Sequence, residues 1–259
     1  MKSLGIFDSG IGGLTVLRQL LSRGAYDRIV YFGDTARVPY GSRARDTIIR
    51  YAEQDVAFLC SQQVDEIIVA CGTVSANALE ELRQSCGLPI AGVIDAAAEK
   101  AAALTRGTVG VIGTAATVQS DIYRKKLAAL KPEVKVLSVA CPLFVPLVEN
   151  GFFAFENDLV RDACRYYLQP LKDAGVDTLI LGCTHYPLLK SHIDDFFGHT
   201  VTLIDQGEAL AETIPAGPIP PEKVQMQFFV SDAAESFAKN MGDYLPQFGN
   251  HSVKQISIL

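Results

Sequence analysis

Two cysteines stand where an apolar run gives way to polar residues. Cys71 closes the run EIIVAC and is followed by Gly72-Thr73, and Cys183 closes TLILGC and is followed by Thr184-His185. A thiol carries protons as well as electrons. Two thiols on opposite faces of one carbon can remove a proton from one side and return one from the other, with their roles exchanged in the reverse direction. That is the chemistry of inversion at a carbon acid, such as the racemisation of an amino acid. A free thiol titrates near about 8.5, so only a small fraction is ionised at neutral pH and activation is required. Helix N-termini behind the two runs, with Asp8 and His185 as proton partners, are the sources that the chain offers. Cys183 and His185 alone would suit a different reaction, acyl transfer by a thiol and imidazole in an amidase or hydrolase, which would leave Cys71 without a part.

The other cysteines read as packing. Cys60, Cys86 and Cys164 lie in or near helical spacing and Cys141 precedes Pro142 at a strand end, and free cysteine is commonly a small buried hydrophobe. No C-x-x-C pair occurs, so neither a structural zinc site nor any other metal is expected. Six cysteines in 259 residues are too sparse for a disulfide scaffold.

The elements that must position these thiols are legible from apolar runs at 4–8, 28–34, 66–71, 89–93, 108–113, 134–140, 178–183, 201–205 and 225–231. Between most of them lie segments with helical spacing, such as Leu14, Leu17, Leu20 and Leu21, or Ile48, Ile49, Ala52, Val56 and Leu59. Alternation of this kind predicts an α/β fold with mostly parallel sheets and helices on both faces. Ligands of such sheets collect at the carboxyl ends of strands. Polar residues gather there: Asp8-Ser9-Gly10, Asp34-Thr35, Cys71-Gly72-Thr73, Thr114, Cys141 and Cys183-Thr184-His185.

A short internal repeat organises the runs. VDEIIVACGT at 64–73 lies over VDTLILGCTH at 176–185 with Val64/Val176, Asp65/Asp177, Ile68/Ile180 and Cys71/Cys183 identical, an offset of 183 − 71 = 112. GIFDSG at 5–10 lies over GVIGTA at 110–115, an offset of 110 − 5 = 105. Two matches in the same order predict two pseudo-symmetric domains, 1–94 plus 206–259 and 95–205, with the active site in the cleft between them. The Pro-rich stretch at 214–221 breaks the pattern, and the tail beyond it is expected to pack back on one half.

Composition narrows the function. Lys plus Arg is 23 against 29 for Asp plus Glu, a net charge of −6, which disfavours a nucleic-acid partner. The N-terminal apolar stretch ends within a few residues at Asp8, so neither a signal peptide nor a membrane span is expected and the chain is expected in the cytoplasm. Gly10, Gly12 and Gly13 lack the following Gly-Lys-Ser/Thr of a phosphate loop.

The segments FDSGIGGLTV (7–16), GDTARVPYGSR (33–43), VIGTAATV (111–118), LGCTHYPLL (181–189) and IDQGEA (204–209), in this order, resemble glutamate racemase of the aspartate/glutamate racemase superfamily. The resemblance spans nearly the whole chain. It implies a cofactor-independent, two-thiol racemase supplying D-glutamate for peptidoglycan, with Cys71 and Cys183 as the acid/base pair. It further implies that Asp8 and Ser9 contact substrate, with Asp8 assisting Cys71, and that His185 is the second proton partner. Tyr40 and Gly41 would hold the side-chain carboxylate through hydroxyl or backbone N–H donors. Thr73 and Thr184 would bind the amino-acid head group, and Thr114 and Thr117 would lie near the α-carboxylate. Read without the resemblance, Ser9 and Thr73 equally suit helix caps, and Tyr40 after Pro39 suits an exposed turn. The chain departs from the family at Gly72, where an asparagine is usual, and loss of that amide would weaken binding without abolishing chemistry. An aspartate-specific relative is the nearest alternative, since one methylene is worth only about 1–3 kcal/mol of discrimination. Members often pair as homodimers, but no interface is legible in the chain.

Overall fold

The computed structural model describes residues 1–246 and 251–258. Two parallel sheets form the frame. The first has the order β10-β9-β2-β1-β3-β4, built from β1 (Ser3–Asp8), β2 (Arg28–Gly33), β3 (Glu66–Val69), β4 (Ile90–Gly92), β9 (Gln225–Val230) and β10 (Val253–Gln255). The second has the order β6-β5-β7-β8, built from β5 (Thr108–Gly113), β6 (Lys135–Ala140), β7 (Thr178–Gly182) and β8 (Thr202–Asp205). All nine apolar runs are strands. The tenth strand, VKQ, is too short and polar to be read from pattern, and it extends the sheet beyond β9, so the C-terminal tail completes the first sheet.

The central strands β1 and β7 are buried along their whole length, because helices cover both faces of a parallel sheet. In β1 alternate residues divide between two cores. Phe7 packs with Val30, Phe32 and Val69 under the helix α2 (Arg45–Ser61), whose Ile48, Ala52, Val56 and Leu59 face inward. Leu4 and Ile6 join a larger core that continues without a break into Val109, Ile180 and Leu181 of the second sheet. Helices at 14–21, 94–104 and 206–213 bridge the sheets, the last packing on both of the others.

The internal repeat has a structural counterpart. The order β2-β1-β3-β4 matches β6-β5-β7-β8 strand for strand. Register matches too: Leu4 pairs with Glu66 and Val109 with Thr178, the same two offsets of 105 and 112 found in the sequence. Asp65 and Asp177 are identical for a reason. Asp65 Oδ2 accepts the Ser3 N–H at 2.7 Å and Asp177 Oδ2 accepts the Thr108 N–H at 3.1 Å. The aspartate N–H groups donate back to the Ser3 and Thr108 carbonyls at 2.9 and 3.0 Å. Each aspartate thus clamps the start of its half's first strand.

Candidate active site

β3 ends at Val69 and β7 at Gly182, so both cysteines sit just past their strands rather than in them. Cys71 is the N-cap of a six-residue helix, Gly72–Asn77, and Cys183 leads into a 3-10 turn, Tyr186–Leu189. The pair of helix N-termini expected to activate the thiols is therefore reduced to one short helix and one turn.

A cavity of about 430 Å³ lies across the carboxyl ends of both sheets, and both thiols line it. Ser9, Gly41 and Thr73 line it from the first half; Thr114, Thr184 and His185 line it from the second. Ser9 caps nothing, since the helix Leu14–Leu21 begins after Gly13 with no side-chain cap. Thr73 lies inside its helix, and its Oγ1 meets Thr114 Oγ1 at 2.9 Å across the boundary between the halves. Thr114 caps the helix Ala115–Ser120 through the Thr117 N–H, and Thr117 Oγ1 lies 3.0 Å from Thr114 Oγ1. Thr117 is buried and backs the hydroxyl pair without lining the cavity. The Thr184 carbonyl accepts the Thr15 hydroxyl at 2.8 Å, which fixes this segment to the first half.

The two thiols have unlike partners. Cys71 Sγ lies 3.5 Å from Ser9 Oγ. Burial, with the nearby Asp8 charge, pushes this thiol up to about 12 against the opposing Ser9 hydroxyl and Val74 N–H. Burial outweighs the helix N-terminus here. Asp8 is wholly buried one layer behind the cavity wall. Its Oδ1 accepts N–H groups from Gly13 at 2.9 Å and Gly10 at 3.2 Å, while Oδ2 has no partner among the described residues. Burial raises the Asp8 carboxyl, and the His185 charge and those N–H groups oppose the rise.

Cys183 Sγ lies 3.8 Å from His185 Nδ1, and His185 Nε2 lies 3.0 Å from Glu149 Oε1. Burial alone would pull the imidazole down, but contact with Cys183 and Glu149 wins and lifts it to about 10. His185 is thus an imidazolium at neutral pH. Glu149 sits at the end of a short helix, Phe144–Glu149, and sequence reasoning missed it; an acid in VPLVEN has no spacing that marks it. Among the described residues no lysine or arginine lines the cavity, so an anionic ligand would rely on hydroxyls, backbone N–H groups and this imidazolium.

Tyr40 corrects an expectation. Its ring is buried rather than exposed, and its hydroxyl donates to Asp34 and lies 2.9 Å from Asp55 Oδ2. Arg37 pairs with the same two carboxylates at 2.6 and 2.7 Å. A hydroxyl committed to two buried acids is not a donor for substrate, which leaves the Tyr40-Gly41 backbone at the cavity wall. Gly41 is held close to the second half, its carbonyl accepting the Ala116 N–H at 3.0 Å.

Gly72 explains the departure from asparagine. A β-carbon there would lie 2.7 Å from the Gly182 carbonyl oxygen and 3.2 Å from Gln206 Oε1. Gln206, buried, donates to the Leu181 carbonyl at 2.7 Å, so its amide fills the space beside Gly72 and braces the strand that leads to Cys183.

The family model described as Asp/Glu/Hydantoin racemase matches residues 15–214. A curated protein named glutamate racemase from Geobacter metallireducens is 45% identical over 246 residues, 92% of this chain and 90% of that protein. The crystal structure of glutamate racemase from Francisella tularensis in complex with D-glutamate is 34% identical, covers 99% of this chain and 98% of its own, and superposes with a TM-score of 0.89. The glutamate racemase isoform RacE1 from Bacillus anthracis is also 34% identical, covering 99% and 97%, with a TM-score of 0.91.

Proposed function

The chain belongs to the Asp/Glu/hydantoin racemase family, and from that premise we propose that it interconverts L- and D-glutamate by proton transfer between two thiols. The observation that carries this reading is that Cys71 and Cys183, at equivalent strand ends of two matching sheets, line one cavity.

With a glutamate α-carbon between them, the thiolate of one cysteine takes the α-proton and leaves its electron pair on the carbon, delocalised into the carboxylate. The thiol of the other delivers a proton to the opposite face and becomes the thiolate. The His185 imidazolium stabilises a Cys183 thiolate, with Glu149 holding the ring. Cys71 has the Ser9 hydroxyl beside it, and Asp8, whose carboxyl burial raises, lies behind it. The hydroxyls of Thr73, Thr114 and Thr184 and the backbone at Tyr40-Gly41 suit the two carboxylates and the ammonium group.

Glutamate is preferred to aspartate because the relatives that match over most of their length bear that name. A Cys183–His185 hydrolase would leave Cys71 idle in the same cavity. In this reading the enzyme supplies D-glutamate for peptidoglycan and works in the cytoplasm; no helix among the described residues is long and apolar enough to cross a membrane. Circular dichroism of D- and of L-glutamate with purified protein tests the reaction. Loss of optical activity from both, with solvent deuterium entering the α-position, is the expected result; unchanged optical activity at high protein concentration overturns it.

A further inference from the structure

Cys60 and Cys86 form the closest thiol contact outside the cavity, their Sγ atoms 3.8 Å apart. They come from different elements. Cys60 lies in the last turn of α2, and Cys86 caps the end of the helix Leu79–Ser85 with extended backbone, φ −87° and ψ 125°. Both are half-buried, unlike Cys141 and Cys164, which are 0% and 1% exposed. The sequence reading of Cys60 and Cys86 as plain packing residues therefore leaves their mutual contact and their access to solvent unexplained.

We propose that Cys60 and Cys86 are an oxidation site, a dithiol that closes to an intramolecular disulfide when a small disulfide such as oxidised glutathione is present. A disulfide needs its sulfurs about 2.05 Å apart, so the pair must close by less than 2 Å from its present 3.8 Å. Cys86 stands beyond the last helical residue of its element, so its side chain and the following loop can supply that movement without disturbing α2.

The reaction balances as two exchanges. The thiolate of one cysteine attacks a sulfur of oxidised glutathione, forming a mixed disulfide and expelling one glutathione thiolate, which takes up a proton. The second cysteine then attacks the protein sulfur of that mixed disulfide and expels the other glutathione. The two protein sulfurs are oxidised, the glutathione disulfide is reduced, and the two thiol protons end on two glutathione molecules. Burial, together with the hydrogen bond to Cys86, holds the Cys60 thiol up at about 11, so closure accelerates as the solution is made alkaline.

The chain between the two cysteines runs through β3, Cys71 and the helices Gly72–Asn77 and Leu79–Ser85. The disulfide would therefore close a covalent ring around the segment that carries one active-site thiol, and shrink the freedom of that segment in the unfolded chain.

The test is peptide mapping of native protein incubated with oxidised glutathione at mildly alkaline pH. The expected product has lost two hydrogens, contains one peptide pair joined through Cys60 and Cys86, reverts with dithiothreitol, and melts at a higher temperature than the reduced protein. Cys86→Ser should instead hold glutathione as a lasting adduct on Cys60. Native wild-type protein that accumulates glutathione on Cys60 or Cys86 without the crosslink, or forms the crosslink only in denaturant, overturns the proposal. Should the serine variant fold poorly, the wild-type map alone decides.

Discussion

Gly72 and Gly182 meet across the boundary between the two halves so closely that a β-carbon on Gly72 would lie 2.7 Å from the Gly182 carbonyl oxygen. The obstructing atom is backbone at the end of β7 and cannot swing aside. Gly72→Asn, although it restores the residue usual in the family, is expected to cost about 1–3 kcal/mol of stability, the range for overpacking a filled site. Adding Gln206→Ser should recover part of that loss, because one of the crowded neighbours is the Gln206 amide. Urea unfolding of the wild type and the two variants checks this; an unchanged midpoint for Gly72→Asn would mean that the seam yields easily.

Loss of either thiol should cripple racemisation in both directions. Cys71→Ser and Cys183→Ser are each expected to lower kcat by about 10²–10⁴-fold, the usual range for an acid/base group. A Cys183-dependent hydrolase would instead tolerate Cys71→Ser, so the first variant separates the two chemistries.

The pH profile carries a thermodynamic constraint. Enantiomers have equal free energies, so kcat/KM must be the same for D- and L-glutamate at every pH. Cys71 is pushed up to about 12 and His185 to about 10. The shared profile should therefore fall as His185 loses its proton at about 10. Glu149→Gln removes one of the contacts that lift His185, and should move the falling limb to lower pH.

Stability follows the same imidazole. Because its folded pKa is raised from 6.5 to about 10, His185 contributes stability that is full below 6.5 and lost as pH rises through about 10. Melting temperatures across that window should decline in the wild type, and in Glu149→Gln the decline should end at a lower pH.

Tyr40→Phe isolates structure from chemistry. The hydroxyl serves Asp34 and Asp55, both buried; Asp34 Oδ2 keeps Arg37, but Asp55 Oδ2 loses its partner, so removal should cost about 1–3 kcal/mol of stability. Substrate KM should change little. A large rise in KM with unchanged stability would return the hydroxyl to the substrate.

Strand positions, the repeat and the thiol pair were legible because buried parallel strands are continuous apolar runs and because Asp65 and Asp177 repeat with their strands. Other features depend on three-dimensional approach. Glu149 reaches His185 across 36 positions and the Tyr40 hydroxyl reaches Asp55 across 15, and neither distance in sequence carries a signal. Ser9 and Thr73, which equally suited helix caps, cap nothing: the helix after Ser9 begins only beyond Gly13, and Thr73 lies one residue inside a helix that already begins at Gly72. The Cys60–Cys86 contact was hidden for the opposite reason: each cysteine taken singly reads as packing.

The repeated aspartate clamp sets the same kind of strand end in each half, and each end delivers one thiol to the cavity. The two ends are not dressed alike: one has a hydroxyl beside its sulfur, the other an imidazole held by a carboxylate. A reaction whose two directions are energetically equivalent is therefore served by an apparatus whose two sides differ.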